Sequence, residues 1–136
     1  MKTLSYQGIE FHSLLEIEFW KKLTKMFRRT QLKLEYEADK IPYTVVNHRN
    51  YIPDFKIQFP DGHVRYLEIK GYLRTEDRVK MKLVKDQHPG LDIRIVFAKD
   101  NKLSSKSNTR YSTWAKKTGI PYAIATIPNE WKNRNG

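Results

Sequence analysis

The stretch Pro53-Asp54-Phe55-Lys56-Ile57-Gln58-Phe59-Pro60-Asp61-Gly62-His63-Val64-Arg65-Tyr66-Leu67-Glu68-Ile69-Lys70 decides the fold. Two runs of alternating apolar and polar residues, 54–59 and 63–70, flank a group of turn formers, which predicts a β-hairpin. Side chains two apart share a face, so Phe55, Ile57 and Phe59 oppose Asp54, Lys56 and Gln58, and Leu67 and Ile69 oppose Tyr66, Glu68 and Lys70. A two-residue Asp61-Gly62 loop would pair Phe55 with Glu68 and Asp54 with Ile69, setting carboxylates among core side chains. A three-residue loop, with Pro60-Asp61 in a type I turn and Gly62 left-handed, pairs Phe59 with His63, Phe55 with Leu67 and Asp54 with Glu68. Only this register makes every face agree. It leaves two carboxylates opposed at a Cβ separation of roughly 5 Å, with Lys70 diagonal to Asp54, an arrangement that is destabilising without a cation.

Outward from the hairpin, the apolar residues between Ile9 and Arg29 (Leu15, Phe19, Trp20, Leu23, Met26 and Phe27) share one helical face, predicting a long amphipathic helix. Glu16 falls on that apolar face whereas Glu18 does not, so a third carboxylate turns inward, where it is costly unless paired or bound to a cation. Lys33–Glu37 and Tyr43–Tyr51 read as extended, separated by a break at Ile41-Pro42. Thr75 is expected to cap a helix with Glu76 and Asp77 in its first turn and Val79, Leu83 and Val84 as apolar contacts, ending before Pro89-Gly90. Leu91–Ala98 reads as a strand, Lys99–Arg110 as a Lys/Ser/Asn-rich loop, Tyr111–Thr118 as a short helix and Tyr122–Ile127 as a final strand. The expected fold class is α+β, a mixed β-sheet flanked by helices, in one domain spanning residues 1–136.

Composition narrows the function. The 136 residues carry 26 Lys+Arg against 15 Asp+Glu, a net charge of +11 that favours a phosphate backbone as partner. Cysteine is absent, which excludes disulfides, thiolate metal sites and cysteine nucleophiles. No apolar run reaches signal-peptide or membrane-span length, and the expected location is cytoplasmic. His12, His48, His63 and His88 lack metal-ligand spacing and read as surface or loop residues. Trp114 and Trp131 read as core residues. Lys99, Lys102, Lys106 and Arg110 form a candidate DNA-binding loop or a solvated linker.

Asp54, Glu68 and Lys70 across one hairpin, with Glu16 arriving from a helix, fit phosphodiester hydrolysis: Asp54, Glu68 and Glu16 as oxygen ligands for Mg²⁺, with Mn²⁺ able to substitute, and Lys70 orienting water or stabilising charge on phosphate. Taken singly, Asp54 is a turn residue after Pro53 and Glu68 and Lys70 a solvated strand face. Convergence from separate segments favours a site.

The segments LEYEADKIPYTVVNHRNYIPDF, KGYLRTEDRVKMKLVKDQHPGLDIRIVF and IPNEW resemble the phage endonuclease I family of Holliday-junction-resolving endonucleases, PD-(D/E)xK nucleases with a restriction-endonuclease-like sheet. The resemblance runs from about Phe11 to Trp131 and includes non-catalytic stretches. It implies a metal-dependent endodeoxyribonuclease, with Glu16, Asp54, Glu68 and Lys70 as catalytic set and four-way DNA junctions as substrate, at work in a phage-infected host cell. It also implies an intertwined homodimer in which residues 45–51 bridge the halves, so that Glu16 of one chain joins Asp54, Glu68 and Lys70 of the other. Relative to the family the hairpin is two residues longer on each arm, Leu14 replaces a glycine, and no long basic tail follows Trp131. A nicking, mismatch or general DNA endonuclease and a basic DNA-binding protein that does not cut are the alternatives, and Glu68→Ala separates cutting from binding.

Overall fold

The three-residue turn organises the sheet in the computed structural model, which describes residues 2–45 and 47–136. Gly62 has φ +91°. Its N–H donates to Phe59 O at 2.9 Å, and Phe59 N–H to His63 O at 2.8 Å, closing the turn. The arms β6 (Phe55–Gln58) and β7 (Val64–Lys70) pair antiparallel with Phe55 opposite Leu67 and Gln58 opposite Val64, the register expected from parity. Continued one step past β6, it sets Asp54 opposite Glu68.

The hairpin is the middle of a five-stranded mixed sheet. On one side β3 (Lys33–Tyr36) pairs antiparallel with β6, Tyr36 facing Phe55. On the other, β8 (Asp92–Phe97) and β9 (Tyr122–Ile124) add in parallel, each reached through a helix, as parallel neighbours require. These crossovers are α2 (Thr75–Gln87) and α3 (Tyr111–Thr118).

The sheet separates two apolar clusters. Phe55, Ile57, Leu67, Ile69 and Val96 pack on one face with Phe19 and Leu23 of α1 (Leu14–Met26) and with Phe27, its C-cap. Tyr66, Ile93, Ile95 and Phe97 pack on the other with Met81 and Val84 of α2 and Tyr111 and Ala115 of α3. Burial on both faces explains why β7 is covered along its whole middle. The α+β architecture, a mixed sheet flanked by helices, is the expected one.

Several element boundaries differ from the sequence-based expectation. The first helix starts at Leu14, not Ile9, because Ile9–Phe11 is a strand (β2) paired with β1 (Leu4–Tyr6). Gln7 and Gly8, at φ +53° and +79°, make a turn between them that suits a tight hairpin. Ser13 then caps α1, its Oγ accepting from Glu16 N–H at 3.1 Å. Arg74, rather than Thr75, is the N-cap of α2, and Asp77 reaches back to accept from Arg74 N–H at 2.9 Å. Val79 is exposed, so Met81 and Val84 carry the contact. The final strand stops at Ile124 because Ala125 turns to φ +66°.

Pro42 does not break the chain. It lies in β4 (Ile41–Thr44), which pairs antiparallel with β5 (His48–Tyr51) in the same chain, Pro42 opposite Asn50. Pro42 O meets the His88 ring, and Thr44 N–H and O are both held by the Gln87 amide, so this edge of β4 faces the end of α2. A proline's missing N–H is tolerated on such an edge. The expected bridge, residues 45–51, thus includes β5, while Val46 within it lies outside the described residues.

Arg65 was not anticipated. Its parity places it with Leu67 and Ile69, and it is almost fully buried. The guanidinium donates to Asp92 Oδ2 at 2.7 Å, to Trp131 O at 2.7 Å and to Asn133 O at 3.1 Å, and it covers the Phe59 ring at 4.7 Å. Burial pushes Asp92 up, but His63, Arg65 and Arg94 outweigh it and hold its carboxyl below the usual range. Removing one member of such a buried set is strongly destabilising. Arg65→Met is expected to cost about 3 kcal/mol in denaturant unfolding and to accelerate hydrogen exchange at 131–136.

Candidate active site

Four polar or charged residues are buried among those described: Glu16, Asp54, Arg65 and Glu68. Arg65 is saturated by hydrogen bonds; the three carboxylates are those expected from the sequence, and they converge. Glu16 enters from the first turn of α1, oriented by the Ser13 cap. Its Oε1 accepts from His12 N–H at 2.9 Å and from the Tyr36 hydroxyl at 2.7 Å. Tyr36 reaches it because β3 pairs with β6 and the chain leaves the sheet immediately afterwards, Glu37 N–H donating to Asp54 O at 2.8 Å.

Asp54 ends the irregular segment before β6, and its Oδ2 accepts from Ile69 N–H at 2.8 Å. Burial pushes its carboxyl well above the usual range, reinforced by the charge of Glu68 and by Glu16, whose carboxyl is within hydrogen-bonding reach. Glu68, on the neighbouring strand, accepts from the buried Tyr51 hydroxyl at 2.7 Å, and Lys70 Nζ lies 3.4 Å from its other oxygen. Burial raises Glu68 too, despite the opposing pull of Lys70 and Tyr51. Lys70 itself loses basicity by burial but gains more from Glu68 and from Asp77, 3.3 Å away, so it is held protonated above its ordinary value.

Glu16, Lys70 and Asp77 open onto a cleft of about 520 Å³, whose rim includes His12, Tyr72 and Arg74. Asp54 and Glu68 are not on its walls but adjoin them through Ile69 and Lys70. Among the described residues no three of His, Cys, Asp and Glu stand close enough to hold a metal ion unaided. The donor chemistry nevertheless fits a hard divalent cation: two opposed buried carboxylates, both pushed toward protonation, with a third beside Asp54 and no histidine among them.

Tyr36 and Tyr51 were not singled out in the sequence, although each lies at the edge of a segment read as extended. Burial raises both hydroxyls, and the neighbouring glutamates add to it, so they remain donors. Asp77, noted only for its place in a first helical turn, also ties Lys70 to α2.

The candidate DNA-binding residues Lys99, Lys102, Lys106 and Arg110 are exposed, but the loop that carries them is internally bonded. Lys102 bridges Arg110, Leu103 N–H donates to Thr109 O at 2.8 Å, and Asp100 accepts from Ser112 N–H and Oγ at 2.9 and 2.6 Å. Arg110 turns part of its guanidinium to Asp100 O at 2.8 Å. Lys99, just past the end of β8, lines a separate pocket with Gly71 and Tyr72. Of the histidine rings, His63 bonds Asp92, His12 bonds Glu37 and His88 meets Pro42 O.

No helix among the described residues is long and apolar enough to cross a membrane. The family model for Phage endonuclease I matches residues 2–135. Endonuclease I of Escherichia phage T7 is 40% identical over 112 residues, covering 81% of this chain and 72% of that protein. Endodeoxyribonuclease 1 of Enterobacteria phage T3 is 39% identical over 124 residues, 90% of this chain and 76% of that protein. A nuclease family with this oxygen-rich donor set points to a divalent metal, and by both the match and the homology the chain belongs to the phage endonuclease I family and is an endonuclease.

Proposed function

We propose that the protein is a Mg²⁺-dependent endodeoxyribonuclease that cuts branched DNA, resolving four-way junctions by paired nicks inside the infected host cell. The convergence of Glu16, Asp54 and Glu68 with Lys70, all buried or half-buried in a chain of net charge +11, carries this reading. Three converging buried carboxylates with Lys70 as the cation at hand are hard to explain as structure alone, because an apolar core would be more stable.

Asp54 and Glu68 would hold the metal and Glu16 would join them; Mg²⁺ is commonly bound by one or two carboxylates, with substrate phosphate and water completing its shell. Bound there, the metal would polarise the phosphate and acidify a water. Lys70, held between Glu68 and Asp77, would orient the attacking water or stabilise negative charge developing on a phosphate oxygen. Tyr36 and Tyr51 each occupy one oxygen of a glutamate and so direct the other inward. Recognition rests on DNA shape and phosphate contacts, with Lys99, Lys102, Lys106 and Arg110 contributing charge.

Two cuts placed symmetrically about a junction ask for a two-fold enzyme. The proposed homodimer forms by opening the β4–β5 hairpin, so that residues 45–51 bridge the subunits and Glu16 reaches the partner's Asp54 and Glu68. Tyr36 and Glu16 both precede the β4–β5 turn, and Tyr51, at the end of β5, and Glu68 both follow it, so each pairing survives an exchange hinged at that turn.

Wild-type protein in Mg²⁺ is expected to make paired cuts near the branch point of a labelled four-way junction and to spare a linear duplex; Glu68→Ala should bind the junction but lose cutting by about a thousandfold or more. Equal cutting of both substrates would demote the enzyme to a general nuclease. Co-refolding Glu16→Ala with Glu68→Ala distinguishes an exchanged dimer: one site in each mixed dimer is then intact, restoring about a quarter of the sites as single nicks, whereas unexchanged subunits restore none. Asp54→Asn should abolish cutting yet raise the metal-free melting temperature by about 3–6 °C near pH 8. The sign follows from the raised carboxyl, whose stabilising contribution is present at low pH and lost as pH rises through its folded-state value, so the advantage of asparagine should vanish on acidification.

A further inference from the structure

Beyond the cleft, β7 and β8 leave the sheet side by side, Ala98 N–H still donating to Lys70 O at 2.9 Å. The C-terminal ends of parallel strands are where ligands are commonly received. There a second pocket of about 270 Å³ is lined by Gly71, Tyr72, Ala98, Lys99 and Asn101. Tyr72 borders both this pocket and the catalytic cleft and so stands as the ridge between them.

Two properties separate Tyr72 from the tyrosines already described. It is 72% exposed, and no hydrogen bond to its hydroxyl is found among the described residues, whereas Tyr36, Tyr51 and Tyr66 are each tied to a carboxylate. The electrostatics of the two hollows also differ. Glu16, Glu76 and Asp77 line the catalytic cleft, while the second pocket has no carboxylate and has Lys99, which makes no ion pair among the described residues. An uncompensated cation next to an exposed aromatic ring is the pairing that receives a nucleotide: charge for the phosphate, ring for the base.

We infer that Tyr72 and Lys99 form a subsite for the nucleotide next to the scissile phosphate, Tyr72 stacking on its base and Lys99 holding its phosphate. The inference rests on the nuclease reading of the adjoining cleft. Inside a continuous duplex both faces of a base are covered by its neighbours. At the branch point of an open, unstacked junction the terminal pair of each arm has one free face, so a stacking residue beside the scissile position favours branched over linear DNA without reading sequence. Tyr72 is therefore a specificity-determining residue, and Lys99 supplies affinity common to all substrates.

The test compares wild type, Tyr72→Ala, Tyr72→Phe and Lys99→Ala on a four-way junction and a linear duplex, with 2-aminopurine at positions flanking the cut. Binding is measured without divalent metal and cleavage in Mg²⁺. Tyr72→Ala should weaken junction binding by about five- to 150-fold, leave duplex binding within roughly twofold of wild type, and abolish 2-aminopurine quenching; Tyr72→Phe should behave as wild type. Lys99→Ala should weaken both substrates alike and lower the salt dependence of binding by about one counterion. Wild-type behaviour of Tyr72→Ala, or an equal loss on both substrates, overturns the subsite. Failure of wild-type protein to cut any DNA, or undiminished cutting by Glu68→Ala, overturns the cleft reading beneath it and the subsite with it.

Discussion

Register in the β6–β7 hairpin is the constraint on which the rest depends. Side chains alternate across a strand, so a slip of one residue would send Leu67 and Ile69 to the α2 side and bring Tyr66, Glu68 and Lys70 against α1. Because β7 is flanked on both sides and covered on both faces, that slip would disrupt both apolar clusters together. The left-handed Gly62 closes the three-residue loop that prevents it. The same register sets Asp54 across from Glu68, so a single turn positions the core and the carboxylates at once.

Two kinds of buried charge coexist on this scaffold, and their surroundings separate them. Arg65 has its donors answered by Asp92 and by carbonyls of the last residues, and it stacks on Phe59. The carboxylates of Asp54 and Glu68 face each other with Lys70 beside Glu68, and burial drives both toward their neutral forms. The first arrangement stiffens the fold. The second destabilises it locally, and on the function proposed above a bound cation would offset that cost.

The central hairpin and its register were legible in the sequence because period-two alternation and a Pro-Asp-Gly turn are local signals. Glu16, Asp54, Glu68 and Lys70 were legible as a group for the same reason: parity and helical periodicity determine which way each points. The β1–β2 hairpin was not, since Ile9 and Phe11 continue the apolar spacing of the following helix and only Gly8 and Ser13 mark the boundary. Pro42 misled because its tolerance depends on an edge set by Gln87 and His88, far along the chain. Tyr36 and Tyr51 escaped notice because a tyrosine in a strand reads as packing. Their hydroxyl contacts exist only once β3 and β5 are in place. Arg65 could have been flagged, as it is the one cation on the face of Leu67 and Ile69.

The spacing of the active-site groups along the chain has a consequence for safety. Glu16 and Asp54 are separated by 38 positions and meet only after α1 has docked on the finished sheet. On the functional reading above, the site behaves as a logical conjunction: helix, hairpin, sheet and partner subunit must all be in place before any phosphodiester is at risk. A nascent or partly unfolded chain, though just as basic and just as able to cling to nucleic acid, is chemically inert. On that reading the power to cut is a property of the native state alone.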